Sequence, residues 1–170
     1  PQHILHASMT STTLTLHLGA ALLLACFTTD AFAQSTISIP SSLDNTLYES
    51  PTGSLSNGKG QSVFTGLTAT GQKRRALLQF DVASALPAGS KILSATLTFE
   101  VMQSTVVFPA PGYLHRVLQS WGEGTSIASG GGGSGGQATT NDATWLHRFF
   151  PSSTWTNAGG DFAATPSVTL

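Results

Sequence analysis

The clearest pattern in the chain is an alternation of apolar and polar positions over residues 92–102. Leu93, Ala95, Leu97, Phe99 and Val101 fall on one face, and Ser94, Thr96, Thr98 and Glu100 on the other. A period of two is the mark of a half-buried β-strand. The turn residues Leu86-Pro87-Ala88-Gly89-Ser90 precede it. Before them, Ala76-Leu77-Leu78-Gln79-Phe80 is a short apolar run suited to burial on both faces. Another strand is predicted over 113–119, after the turn Pro109-Ala110-Pro111-Gly112, with weaker ones over 36–39, 46–49, 62–66 and 167–170. Short strands between Gly/Pro/Ser turns, with no helical stripe after residue 33, predict an all-β, jelly-roll-like antiparallel β-sandwich. Leu78, Phe80, Leu93, Leu97, Phe99 and Val101 are its expected core.

The first 33 residues follow another rule. They hold no Lys or Arg, but contain the densest apolar run of the chain, LTLHLGAALLLACF from Leu14 to Phe27. A run of about 14 residues suits a signal-peptide core and is too short to span a bilayer. Ala31-Phe32-Ala33 after it is a small-x-small triplet of the kind signal peptidase accepts, so cleavage is predicted after Ala33. Met9 is then the start, and residues 1–8 an upstream remnant. No basic residue lies between Met9 and Leu14, a departure from the usual signal. Leu23-Leu24-Ala25-Cys26 also fits a lipoprotein box, which would tether the product to a membrane through a lipidated Cys26. Cys26 is the only cysteine, so a domain beginning at Gln34 has no disulfide, thiolate site or Cys nucleophile.

Residues 34–170 are enough for one domain with a real core. Their charges balance, with 7 Lys plus Arg against the 8 Asp plus Glu of the whole chain less Asp30. A neutral chain has no electrostatic footprint for nucleic acid or anionic membrane. Charged residues are only 9% of the chain, and Ser, Thr, Gly and Ala fill the polar positions, as in many exported β proteins. Ser129 to Gly136, SGGGGSGG, reads as a flexible loop inside the domain. The chain stops in an apparent strand at Ser167-Val168-Thr169-Leu170, so the domain is expected to be incomplete at its C-terminus.

Arg75-Ala76-Leu77-Leu78-Gln79-Phe80-Asp81, then Leu86-Pro87-Ala88-Gly89, then Ile92-Leu93-Ser94-Ala95-Thr96-Leu97 resemble the core of bacterial DNRLRE-type domains, relatives of the family-96 carbohydrate-binding modules. Trp121-Gly122-Glu123-Gly124 and Thr144-Trp145 match the W-x-E-G and T-W pieces of that pattern, and Asp44 and Asn45 stand at its polar turn. The resemblance covers roughly residues 36–145. Two departures are the longer Gly-rich insertion between Glu123 and Thr144 and the lack of closing strands after Leu170. The resemblance implies a secreted or surface β-sandwich attached to larger proteins, some of whose relatives bind polysaccharide.

Sugar binding requires flat aromatic faces and polar groups for the hydroxyls. Trp121, Trp145, Trp155, Tyr48 and Tyr113 are candidates, with Trp155 the best exposed choice because Ser, Thr and Asn surround it. The ordinary reading of Trp121 and Trp145 is sandwich core. Glu123 is a ligand candidate or, as the resemblance implies, an acceptor that fixes its loop. Asp142 and Asp161 read first as turn formers, although such oxygen-rich loops can hold structural calcium. An enzyme would need groups that converge. Glu123 with Asp142 is a conceivable glycosidase pair, but Tyr113 and His115 alternate with Arg116, and His147 with Arg148, along their strands. No G-x-S-x-G, H-E-x-x-H or phosphate loop occurs. The expectation is a non-catalytic accessory domain that binds polysaccharide, with a structural or adhesive envelope or matrix domain as the alternative.

Overall fold

A computed structural model of the chain describes residues 4–8, 34–104 and 111–169. The apolar signal core, Cys26 and the cleavage triplet lie outside these residues. In chain order the first strands are β1 (Ile4–Ser8), β2 (Thr36–Pro40), β3 (Leu43–Tyr48), β4 (Leu55–Ser56), β5 (Gly66–Leu67) and β6 (Lys73–Gln79). After a one-turn helix, α1 (Val82–Ala85), come β7 (Ser94–Thr98), β8 (Tyr113–Leu114), β9 (Gly136–Gln137), β10 (His147–Phe149), β11 (Ser153–Thr154) and β12 (Val168–Thr169). The architecture is all-β and antiparallel, as the alternation predicts. Among the described residues no helix is long and apolar enough to cross a membrane.

The chain divides into two compact units, Ser41–Phe80 with Glu100–Leu170, and Gln2–Pro40 with Asp81–Phe99. In the larger unit β6 is the middle of a sheet ordered β3-β6-β5, with Leu43 opposite Gln79 and Tyr48 opposite Arg74. The same unit holds three two-stranded pairs: β4 with β9, β8 with β12, and the hairpin β10–β11. Both faces of β3 are covered. Asn45 and Leu47 share a face with their partners Leu77 and Arg75. The core there is Leu47, Leu77, Trp121, Ala143, Trp145 and Trp155, with Leu43, Val117 and Leu146 packed against it. On the opposite face Tyr48 is fully buried, tilted against Phe64, with the Arg74 guanidinium 5.0 Å from its ring.

The Gly-rich stretch is tied to β3 at Gly132. Tyr48 donates its hydroxyl hydrogen to the Gly132 carbonyl at 2.7 Å, and turn hydrogen bonds join Gly132 to Ser129 and Gly135 to Gly132. A Cβ on Gly135, which has φ +75°, would come within 3.1 Å of the Tyr48 ring. Glycine here serves close approach and a left-handed backbone.

In the smaller unit the order is β2-β1-β7, so Ile4–Ser8, the stretch assigned above to an upstream remnant, is the middle strand. Ile4 stands opposite both Pro40 and Thr98, and Ser8 opposite both Thr36 and Ser94. The expected core over 92–102 does not form. Leu97 is half-buried, Leu93 and Phe99 are exposed, and Val101, beyond the end of β7, is 75% exposed. Leu78 and Phe80 are half-buried as well, and it is Leu77 between them that is buried. For Leu93, Leu97 and Phe99, which lie in the smaller unit, the physical reason is missing cover: α1 buries no residue, and the described part of this unit is otherwise one sheet.

Candidate functional site

The segments Trp121–Gly124 and Asp142–Trp145 are brought together by the backbone. Ala143 donates its amide hydrogen to the Gly122 carbonyl at 2.7 Å, and Gly122 donates to the Arg148 carbonyl at 3.0 Å. A Cβ on Gly122 would lie 2.1 Å from the Asn141 carbonyl oxygen, so no side chain fits at this crossing. All three tryptophans point inward from it.

Trp121, Trp145 and Trp155 are 6, 7 and 5% exposed. Trp155 is therefore not the open sugar platform its hydroxyl-rich surroundings predict. Its indole Nε1 donates to the Thr144 carbonyl at 3.0 Å, and its own amide donates to the Leu146 carbonyl. A Trp inside a core needs such a partner for its one polar group. The Arg75 guanidinium lies 5.0 Å from the Trp145 ring and 4.9 Å from the Phe162 ring, within cation–π range. Arg75 also donates to the Gly159 carbonyl at 2.6 Å. Burial lowers the Arg75 pKa from its ordinary value, and the charge of Glu49 offsets part of that.

Glu123 holds the start of β3. Its Oε1 accepts from the Asp44 amide at 3.0 Å, its carbonyl accepts from Asn45 Nδ2 at 3.1 Å, and its Oε2 pairs with Lys59. Asn45 is inside β3 and fully buried, not in a turn. Its Oδ1 accepts from the Thr46 amide, Ser56 Oγ and the Asn57 amide, so every polar group of the amide side chain is engaged. Sequence reasoning missed this hub and the Arg75 clamp. The available signal for Arg75 was a charged residue two positions before Leu77, hence on the buried face of its strand.

Asp142 lies beside the 122–124 loop, its Oδ1 against Gly124. Asp142 is fully buried, with Oδ2 accepting from the Thr139 amide and hydroxyl. Asp161 accepts from the amides of Thr156 and Asn157 and from Gln119 Nε2. Burial alone would raise its pKa, but the hydrogen bonds from Thr156 and Asn157 prevail and hold it below the usual carboxylate value. His115 and His147 use Nδ1 against the Ala163 carbonyl and Thr144 Oγ1. Arg148 donates to the Ser120 carbonyl at 3.3 Å. Tyr113, at 57% exposed, is the one aromatic of the five candidates with an open face.

No protein-family model, curated protein or solved structure matches this chain.

Proposed function

We propose that the chain is a non-catalytic, jelly-roll-like accessory domain of an exported or surface protein, and that it acts as a structural or adhesive building block. The observation that carries this reading is the gathering of all three tryptophans into one core, where none has a face for a sugar ring. Glu123 and Asp142 are likewise committed to holding loops. Export is supported by the apolar run before Ala31-Phe32-Ala33 and by a hydroxyl-rich, nearly neutral composition. The resemblance to DNRLRE-type domains agrees with export and with an accessory role.

Affinity electrophoresis in gels of acidic and neutral polysaccharides tests the reading, and the expected result is no retardation. One observation favours a polysaccharide-binding alternative. Tyr113 is open to solvent, with the His115 ring centroid 6.4 Å from its own. Retardation that Tyr113→Ala removes without unfolding would overturn the building-block reading in favour of glycan binding at that edge.

A further inference from the structure

Asn57 is followed by Gly58, whereas the other asparagines, Asn45, Asn141 and Asn157, precede Thr, Asp and Ala. An asparagine before glycine is the one most open to attack on its side-chain carbonyl by the next backbone nitrogen, because glycine has no Cβ to obstruct the approach. The fold leaves no other choice at position 58. A Cβ there would lie 1.7 Å from the Glu123 carbonyl oxygen and 2.9 Å from Asp142 Oδ1. Packing thus imposes a reactive pair on a buried turn, in which Asn57 is 3% exposed.

The groups that such a reaction needs are all held. Gly58 donates its amide hydrogen to Ser126 Oγ at 3.0 Å. Asn57 Oδ1 accepts from the Ala128 amide at 2.8 Å, and its Nδ2 donates to the Ser62 carbonyl at 3.2 Å. The backbone of Asn57 is engaged as well, its amide donating to Asn45 Oδ1 and its carbonyl accepting from Gly60. Ser126 is itself buried and takes the Lys59 amide hydrogen on its carbonyl. Before a ring can close, the side-chain amide must leave Ala128 and Ser62, and the Gly58 hydrogen must leave Ser126 for a base from solvent.

We propose that Asn57 is a site of spontaneous deamidation, gated by the tie between residues 57–59 and 126–128. When the tie opens, the Gly58 nitrogen gives its hydrogen to hydroxide and attacks Asn57 Cγ. The N–Cγ bond forms, the Cγ–Nδ2 bond breaks, and the nitrogen leaves as ammonia with a proton from water, giving a cyclic imide. Water then opens the ring at either carbonyl to aspartate or isoaspartate, with no change in oxidation state. Neither product restores the tie. An ionised carboxylate in place of the amide has no hydrogen to give the Ser62 carbonyl, and isoaspartate adds a carbon to the backbone. A buried acceptor that has lost its donor is costly. Opening of the turn is thereby made permanent, and the residue at 57 records that the 126–128 segment has been released.

The test is incubation of the full chain at mildly alkaline pH, with and without denaturing urea, followed by peptide mass spectrometry that separates aspartate from isoaspartate at position 57. Conversion should be about tenfold or more slower in the folded chain than in urea. Ser126→Ala should speed conversion of the folded chain by about threefold or more and leave the rate in urea unchanged. Gly71→Ala, in the turn between β5 and β6, should convert like the wild type although it is less stable, because the gate is local. Should Ser126→Ala fail to fold, the isolated converted wild type decides, and it should exchange the amides of Gly58, Lys59 and Ala128 faster than the unconverted chain. The proposal is overturned by equal rates in the folded chain and in urea, by a folded Ser126→Ala that converts no faster, or by Gly71→Ala matching Ser126→Ala. It is also overturned if Asn45, Asn141 or Asn157 converts first, or if the converted protein keeps its original exchange.

Discussion

Tyr48 illustrates how one polar side chain can hold a loop in place. Its ring is fully buried and its hydroxyl donates to the Gly132 carbonyl. Burial pushes its pKa up to about 12, because the phenolate would lose its hydration. The sign of the linkage follows. A raised folded pKa gives a contribution that is complete below the unfolded value, about 10, and is lost as pH rises toward 12. Urea unfolding across this range should show stability falling above pH 10. Tyr48→Phe should lose about 1 kcal/mol at neutral pH and should largely lack that alkaline decline. A fall of equal size in the variant would place its cause elsewhere.

Loops rather than strands carry most of the fixed geometry at the next scale, and Gly159 lets the two effects of a glycine be separated. It has φ +87°, and a Cβ there would lie 2.6 Å from Arg75 Nη1 and 2.8 Å from the Trp145 ring. Gly71 has φ +80° and nothing within 4 Å. Gly71→Ala should therefore cost about 1–2 kcal/mol of left-handed strain. Gly159→Ala should cost more, since it also displaces the clamp, and chemical denaturation of both variants measures the difference. The same contrast explains what was legible beforehand. The alternation over 92–102 and the apolar run at 76–80 announce β7 and β6, because local period follows from strand geometry. Strands of two residues such as β4 and β9 have no period to read. Burial was harder still: Leu97 and Val101 alternate correctly, yet cover must come from elsewhere in the chain. Trp155 sits among hydroxyl residues in sequence and in one core cluster with Leu47 and Leu77 in space.

In the molecule as a whole, the N-terminal strand decides the smaller sheet. β1 pairs along its full length with both β2 and β7, so a chain beginning at Gln34 would leave those two strands unpaired on their facing edges. Exposed strand edges recruit other strands. A protein starting at Gln34 should exchange amide hydrogens faster over 36–40 and 94–98 than one starting at Pro1, and should self-associate on a sizing column. Equal exchange in the two proteins would mean that Ile4–Ser8 contributes nothing to that sheet.

The ties within the larger unit have a consequence for when it can form. Asp44 is bound to Glu123 across 79 positions, Tyr48 to Gly132 across 84, Arg75 to Gly159 across 84, and Ser56 to Ala143 across 87. Several of the locks on the first half of this unit are supplied by the second. A growing chain that has reached Phe80 holds the β3–β6 ladder but neither the tryptophans nor the carbonyls that close it. Loop closure over such distances precedes any reward from packing. Closing of this unit is therefore deferred until residues 123–159 are available.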